Sequence, residues 1–264
     1  MYKLILITCL LLLSASASAG QLLIAVAANF TGASRALVQQ FQAQTGHRVR
    51  VSFGSTGKLY AQIENGAPFE LYLAADSKHP QRAIEQGLAV ADSRFTYAKG
   101  QLVLWSAKSQ RFDDAEALLH AGTFARLALA NPQTAPYGLA AQQVLQRLQL
   151  WSPLRSKLVQ GDSIAQTFQF TATGNADIGF IARAQLHSWR ANSANKPGTA
   201  WMIPASYYDP IEQQAVLLNR GVDNPVAQQF LNFLKGEQGR RIISDFGYPL
   251  DDAGTDAKNK GTDV

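Results

Sequence analysis

Residues 54–58 read Gly-Ser-Thr-Gly-Lys, between a run that alternates as a strand and a run with helical spacing. Two hydroxyls, two glycines and a lysine at a strand-to-helix turn are the ingredients of an anion site. The first N–H groups of a helix have no internal partner, and its N-terminus carries partial positive charge. A nucleotide-binding loop is excluded. The pattern G-x-x-x-x-G-K-[ST] needs glycine five residues before Gly57, where Ser52 stands, and a hydroxyl after Lys58, where Leu59 stands.

Three more turns offer related chemistry. Ala28-Asn29-Phe30-Thr31 ends an apolar strand and brings an amide donor, Asn29. NPQTAPYG, 131–138, sets Pro136 and Tyr137 in a first helical turn, a place proline suits. GDSIAQ, 161–166, offers Asp162 or Ser163 as an N-cap with the backbone N–H of Ile164 just inside. Each turn alone is also what ordinary helix capping looks like. Only convergence of several on one cleft makes a site.

Catalytic chemistry is thinly supplied. There is no G-x-S-x-G elbow and no H-E-x-x-H pair. The sole cysteine, Cys9, lies in an N-terminal apolar run. His47, His79, His120 and His187 share no ligand spacing, and Asp113-Asp114 and Asp251-Asp252 read as exposed runs. The expectation is a protein without an enzymatic activity or a cofactor.

The elements that must position these turns alternate. QLLIAVAANF reads as a strand, TGASRALVQQFQAQTG as a helix capped by Gly46, RVRVSF as a strand and GKLYAQIENGAP as a helix closing at Gly66. FELYLAA and HPQRAIEQGL repeat the order. This is a parallel α/β layer with right-handed crossovers. After a break at Lys99-Gly100, a second block runs through GQLVLWSA, ARLALAN, GLAAQQVLQRLQLW, SIAQTFQFTATG and ADIGFIA. QAVLLN and NPVAQQFLNFLKGEQGRRIISDFGY close the chain in strand-and-helix pattern, and no internal repeat is visible. Crossings at about 98–100 and near Pro204 divide the chain into two lobes. Residues 20–98 and 205–250 make the first, discontinuous lobe and 99–204 the second, with a cleft between them.

MYKLILITCLLLLSASASA, 1–19, has the charge, apolar core and A-x-A order of a secretory signal peptide. Its apolar run is too short to span a bilayer. Cleavage after Ala19 leaves no cysteine, so an exported protein must rely on its core. The formal net charge is +5, one unit of it Lys3, and the basic residues are scattered without aromatic interleaving. That pattern reads as solubility, not nucleic-acid binding. Residues 251–264 are polar and read as a frayed tail.

The order AVAANFTGASRALVQQFQAQTG, VSFGSTGKLYAQIENGAPFELYLAAD, ALANPQTAPYGLAAQQVL, DIGFIA resembles the periplasmic molybdate-binding proteins of ABC importers, from about Leu22 to Tyr248. The resemblance implies a two-lobed type II binding fold, α/β in class. Such a fold closes on molybdate or tungstate in the inter-lobe cleft and hands it to a membrane permease from the periplasm, as a monomer. By position it implies ligand contacts from Asn29, Thr56 with Ser55 beside it, Tyr137 and Ile164. Two departures stand out. Asn29 occupies a place where many members have serine, so an amide replaces a hydroxyl. Ala182 occupies a place where some members have a ligand tyrosine, and the Tyr137 hydroxyl is a candidate to compensate. Lys58 can raise the potential met by an arriving dianion. The rival readings are a binding protein for another oxyanion, such as sulfate or phosphate, and a secreted α/β hydrolase.

Overall fold

The computed structural model describes residues 19–192 and 198–249. The expected leader, Ala19 apart, and the expected tail lie outside the described residues. Ten strands and nine helices are seen among the described residues. The strands are β1 (Gln21–Ala27), β2 (Arg48–Gly54), β3 (Leu71–Leu73), β4 (Phe95–Gly100), β5 (Leu102–Ser106), β6 (Leu127–Ala130), β7 (Leu158–Gly161), β8 (Ile178–Ala182), β9 (Thr199–Met202) and β10 (Ile211–Leu217). The helices are α1 (Thr31–Thr45), α2 (Thr56–Glu64), α3 (Lys78–Glu85), α4 (Ala115–Ala121), α5 (Pro136–Arg147), α6 (Ile164–Ala172), α7 (Arg183–Asn192), α8 (Pro225–Lys235) and α9 (Glu237–Asp245).

Two five-stranded sheets result, with orders β2-β1-β3-β10-β4 and β7-β6-β8-β5-β9. In the first, β1 pairs parallel with β2 and β3, and β10 pairs antiparallel with β3 and β4. In the second, β6 pairs parallel with β7 and β8, and β5 pairs antiparallel with β8 and β9. The two sheets thus share one plan that no sequence repeat announces. In each, the chain leaves the central parallel strand toward one neighbour and later returns to its other side. Loops diverge there, and a crevice opens outside the carboxyl ends of the strands.

The apolar runs explain the layers. Along β1, Leu22, Ile24 and Val26 face a cluster with Leu37 and Phe41 of α1 and Phe230 and Leu234 of α8. Ala25, on the opposite face, joins Leu59, Tyr60 and Ile63 of α2. A strand covered on both faces needs no polar alternation, so QLLIAVA is apolar nearly throughout. The second sheet repeats this. Leu102, Leu104, Leu127, Leu129 and Phe180 pack with Val144 and Leu145 of α5, while Val103, Trp105 and Ile181 back onto Leu186 of α7. Gly46, at φ 71°, ends α1 by donating its N–H to the Gln42 carbonyl, as its helix-cap reading required.

The layer is mixed, not purely parallel, because β10 in the first sheet and β5 in the second run against the parallel trios, while the edge strands β4 and β9 run with them. The Lys99-Gly100 break of the sequence is the end of β4, and only Gln101 separates β4 from β5. FELYLAA contracts to the three residues of β3. Strands β4, β7 and β9 and helices α4 and α7 had no clear signal: FTYAKG and LVQG carry glycine, lysine or glutamine where an apolar run would be diagnostic, and TAWM is only four residues long.

Candidate functional site

The carboxyl ends of the two parallel trios meet. Ala27 ends β1 with Ala28 and Asn29 just after it, Gly54 ends β2 with Ser55 and Thr56 just after it, and Ala75 lies beyond β3. From the other sheet, Ala135, Pro136 and Tyr137 lie beyond β6, and Ile164 beyond β7. Together they line a small hollow with a cavity volume of about 10 Å³. No residue lining it is charged. All five residues singled out by the sequence are there, each at most 4% exposed.

The helix ends aimed at this hollow are unusual in what they lack. The first turns of α1, α2, α5 and α6 carry no acidic residue. Aspartate or glutamate is favoured there, since it offsets the helix dipole. The N-cap residues of α1, α2 and α5 make no side-chain capping bond. Only α6 is capped, by Ser163, whose oxygen accepts from the Gln166 N–H, so Ser163 and not Asp162 fills that role. Helix ends without such compensation keep the partial positive charge of their first-turn N–H groups.

Ser55 sharpens the point. Its Oγ is buried and has no hydrogen-bond partner among the described residues. A hydroxyl in that state costs about 1–3 kcal/mol unless something satisfies it. Thr56 differs. Its Oγ1 accepts the Ala75 N–H at 3.0 Å, which fixes the oxygen and leaves the hydroxyl proton for another acceptor. Tyr137 and Ile164 sit within the first turns of α5 and α6, where backbone N–H groups have no intrahelical partner.

Asn29 behaves otherwise than its amide suggested. Its Nδ2 donates to Gln213 Oε1 at 2.7 Å and to the Tyr248 hydroxyl at 3.1 Å, so both side-chain N–H groups are engaged behind the site. Tyr248 returns a bond to the Asn29 carbonyl at 3.0 Å. Its backbone N–H belongs to a short 3-10 turn, Ala28–Phe30, that leads into α1. The Tyr137 hydroxyl is likewise engaged, accepting from Gln213 Nε2 at 3.3 Å. Burial lifts the pKa of Tyr97, Tyr137 and Tyr248 above the usual tyrosine value near 10, so these hydroxyls stay neutral donors. Ala182 ends β8 fully buried, donates its N–H to Gln185 Oε1, and does not line the hollow.

Contacts cross the hollow's rim. The Gly57 N–H donates to the Thr134 carbonyl at 2.8 Å. A side chain at Gly57 would meet this neighbour, since a Cβ there would lie 3.1 Å from Thr134 Cα. Lys58 Nζ pairs with Asp162 Oδ2 at 2.8 Å, joining α2 to the loop before α6. Lys58 therefore spends its charge on Asp162 at the rim, outside the hollow. Among the described residues no group of three His, Cys, Asp or Glu could hold a metal ion.

The bacterial extracellular solute-binding protein model matches residues 22–249. The chain belongs to this family. It is 49% identical, over 90% of its length and 94% of the relative's, to molybdate-binding protein ModA of Azotobacter vinelandii. It is 44% identical to molybdate-binding protein ModA of Rhodobacter capsulatus, over 89% of this chain and 91% of that one. The solved structure of the Azotobacter vinelandii periplasmic molybdate-binding protein superposes with a TM-score of 0.82 at 44% identity, covering 87% of this chain and 99% of that one. Membership in this family makes the chain a substrate-binding protein.

One part of the site was missed in the sequence. Gln213, fully buried in β10, joins Asn29, Tyr97 and Tyr137. The available signal was a glutamine at a covered position of the strand IEQQAVL. Buried glutamine in a strand needs partners, and its partners mark a place worth finding.

Proposed function

We propose that this protein captures molybdate, or tungstate, outside the cytoplasmic membrane and delivers it to the permease of an ABC transporter. The observation that carries this reading is the unpartnered Ser55 hydroxyl in an uncharged hollow ringed by helix N-termini without first-turn acids. The kinship with the molybdate-binding relatives supports the same ligand. In this reading the Ser55 and Thr56 hydroxyls and the backbone N–H groups of Asn29, Thr56, Tyr137 and Ile164 replace the hydration shell of a dianion. A cage of donors also rejects protonated oxyanions, because a ligand O–H finds no acceptor in it. Phosphate, substantially protonated near neutral pH, is disfavoured by hydrogen bonding. Sulfate must be excluded by cavity size.

The two sheets are then the cores of two lobes that part at about residues 99 and 205, and the structure corresponds to their closed arrangement. Lys58–Asp162 and Gly57–Thr134 are contacts made on closure. Closure is the state the permease reads. The protein works as a periplasmic monomer, exported by its N-terminal signal. Isothermal titration with molybdate, tungstate, sulfate and phosphate tests the reading. Heat with the first two and none with the last two supports it; tighter binding of sulfate or phosphate would falsify it.

A further inference from the structure

Gln213 lies in β10 beside an irregularity of register between Gln213 and Gln214, a place where a strand re-aims a side chain. Its one amide serves three partners. Oε1 accepts from Asn29 Nδ2 at 2.7 Å and from the Tyr97 hydroxyl at 3.2 Å, and Nε2 donates to the Tyr137 hydroxyl at 3.3 Å. Asn29 and Tyr137 stand on opposite walls of the hollow, 184 and 76 residues from Gln213 along the chain. All four side chains are buried.

We infer that Gln213 is a positioning residue for anion binding, an uncharged strut that holds Asn29 and Tyr137 so that their backbone N–H groups face the captured ion. This rests on the oxyanion reading of the hollow. An amide suits the task because it accepts on one side and donates on the other, without a charge. Leucine fills the space and leaves the Asn29 amide and two hydroxyls without that partner. Glutamate is more telling. Protonated, it keeps a carbonyl acceptor toward Asn29 and Tyr97 and an O–H donor toward Tyr137. Ionised, it loses the donor and puts a negative charge behind the bound dianion.

The groups facing position 213 are Asn29 from the turn after β1, Tyr97 from β4, Tyr137 from α5 and Tyr248 behind Asn29. Asp76 acts on Tyr97 and Tyr208 acts on Tyr137. The tyrosines stay neutral through the working range because burial raises them, and burial raises a glutamate placed among them from its ordinary acid value toward that range.

The test is titration of the full protein with sodium molybdate across about pH 5.5 to 8.5, for wild type, Gln213→Glu and Gln213→Leu. Wild type is expected to hold one affinity across the range. Gln213→Glu is expected near wild type at the acid end and at least about tenfold weaker at the alkaline end, with Gln213→Leu weakened throughout. A Gln213→Glu affinity that is flat with pH, whether like wild type or like Gln213→Leu, overturns the inference. If Gln213→Glu does not fold, Tyr137→Phe carries the test, since it removes one strut contact and keeps α5. A severalfold loss with an unchanged melting temperature supports the strut, and unchanged affinity overturns it. Wild type that fails to bind molybdate overturns the oxyanion reading itself, a distinct outcome.

Discussion

Ser55→Ala separates a binding hydroxyl from a folding hydroxyl. Ser55 Oγ has no partner among the described residues and caps no helix, so its removal breaks no internal hydrogen bond. Without ligand, the variant is expected to melt with wild type or slightly above it, because an unsatisfied buried hydroxyl is itself a cost. With ligand, the variant loses one hydrogen bond to a charged acceptor, a contribution of about 1.5–3 kcal/mol. That corresponds to a dissociation constant raised about 10- to 100-fold. Thr56→Val is the contrast. Thr56 Oγ1 accepts the buried Ala75 N–H, so valine strands that donor. It should cost about 1–3 kcal/mol of stability as well as affinity, and a domain of this size loses about 2–4 °C of melting temperature per kcal/mol. Calorimetric melting of the ligand-free proteins and titration with molybdate read the two quantities apart. Unchanged affinity in Ser55→Ala, or a ligand-free melt several degrees lower, would refute the assignment of this hydroxyl to the anion.

The remaining predictions concern closure and pH. Gly57→Ala sets a methyl group 3.1 Å from Thr134 Cα at the rim, so affinity should fall about tenfold or more. Its ligand-free melting temperature should hold or rise, because alanine favours α2 by up to about 1 kcal/mol over glycine. Asp162→Asn breaks an exposed pair with Lys58, so molybdate affinity should change only a few-fold, and the difference should fade in high salt. Binding should be level from pH 6 to 9, since no titratable group with a resolved shift into that window lines the hollow. Stability should decline above about pH 10. The folded state holds the Tyr97, Tyr137 and Tyr248 protons above the ordinary tyrosine value, so unfolding releases protons there and alkali favours it. Melts taken at stepped pH check the sign.

The sequence made the site legible because its parts are local. A helix start is written within a few residues: Gly54 to Gly57 after an alternating strand, Pro136 just inside α5, Ser163 ahead of Ile164. Doubly covered strands such as QLLIAVA and ADIGFIA are as plain, since burial on both faces leaves nothing to alternate. What stayed hidden is non-local. That Asn29 turns its amide away from the hollow depends on Gln213 and Tyr248, which lie 184 and 219 residues further on. That Lys58 answers Asp162 depends on how the two sheets meet. Strands β4 and β9 owe their order to partners β10 and β5, and short strands held by pairing alone leave little hydrophobic period.

Diffraction from crystals grown with molybdate, recorded at the molybdenum absorption edge, tests the central claim most directly. The account predicts one anomalous peak in the hollow, its oxygens within hydrogen-bond reach of Ser55 Oγ, the Thr56 hydroxyl and the backbone N–H groups of Asn29, Tyr137 and Ile164, with Asn29 Nδ2 still on Gln213. A peak elsewhere on the molecule, or a hollow holding only water in a protein that binds molybdate in solution, would contradict it.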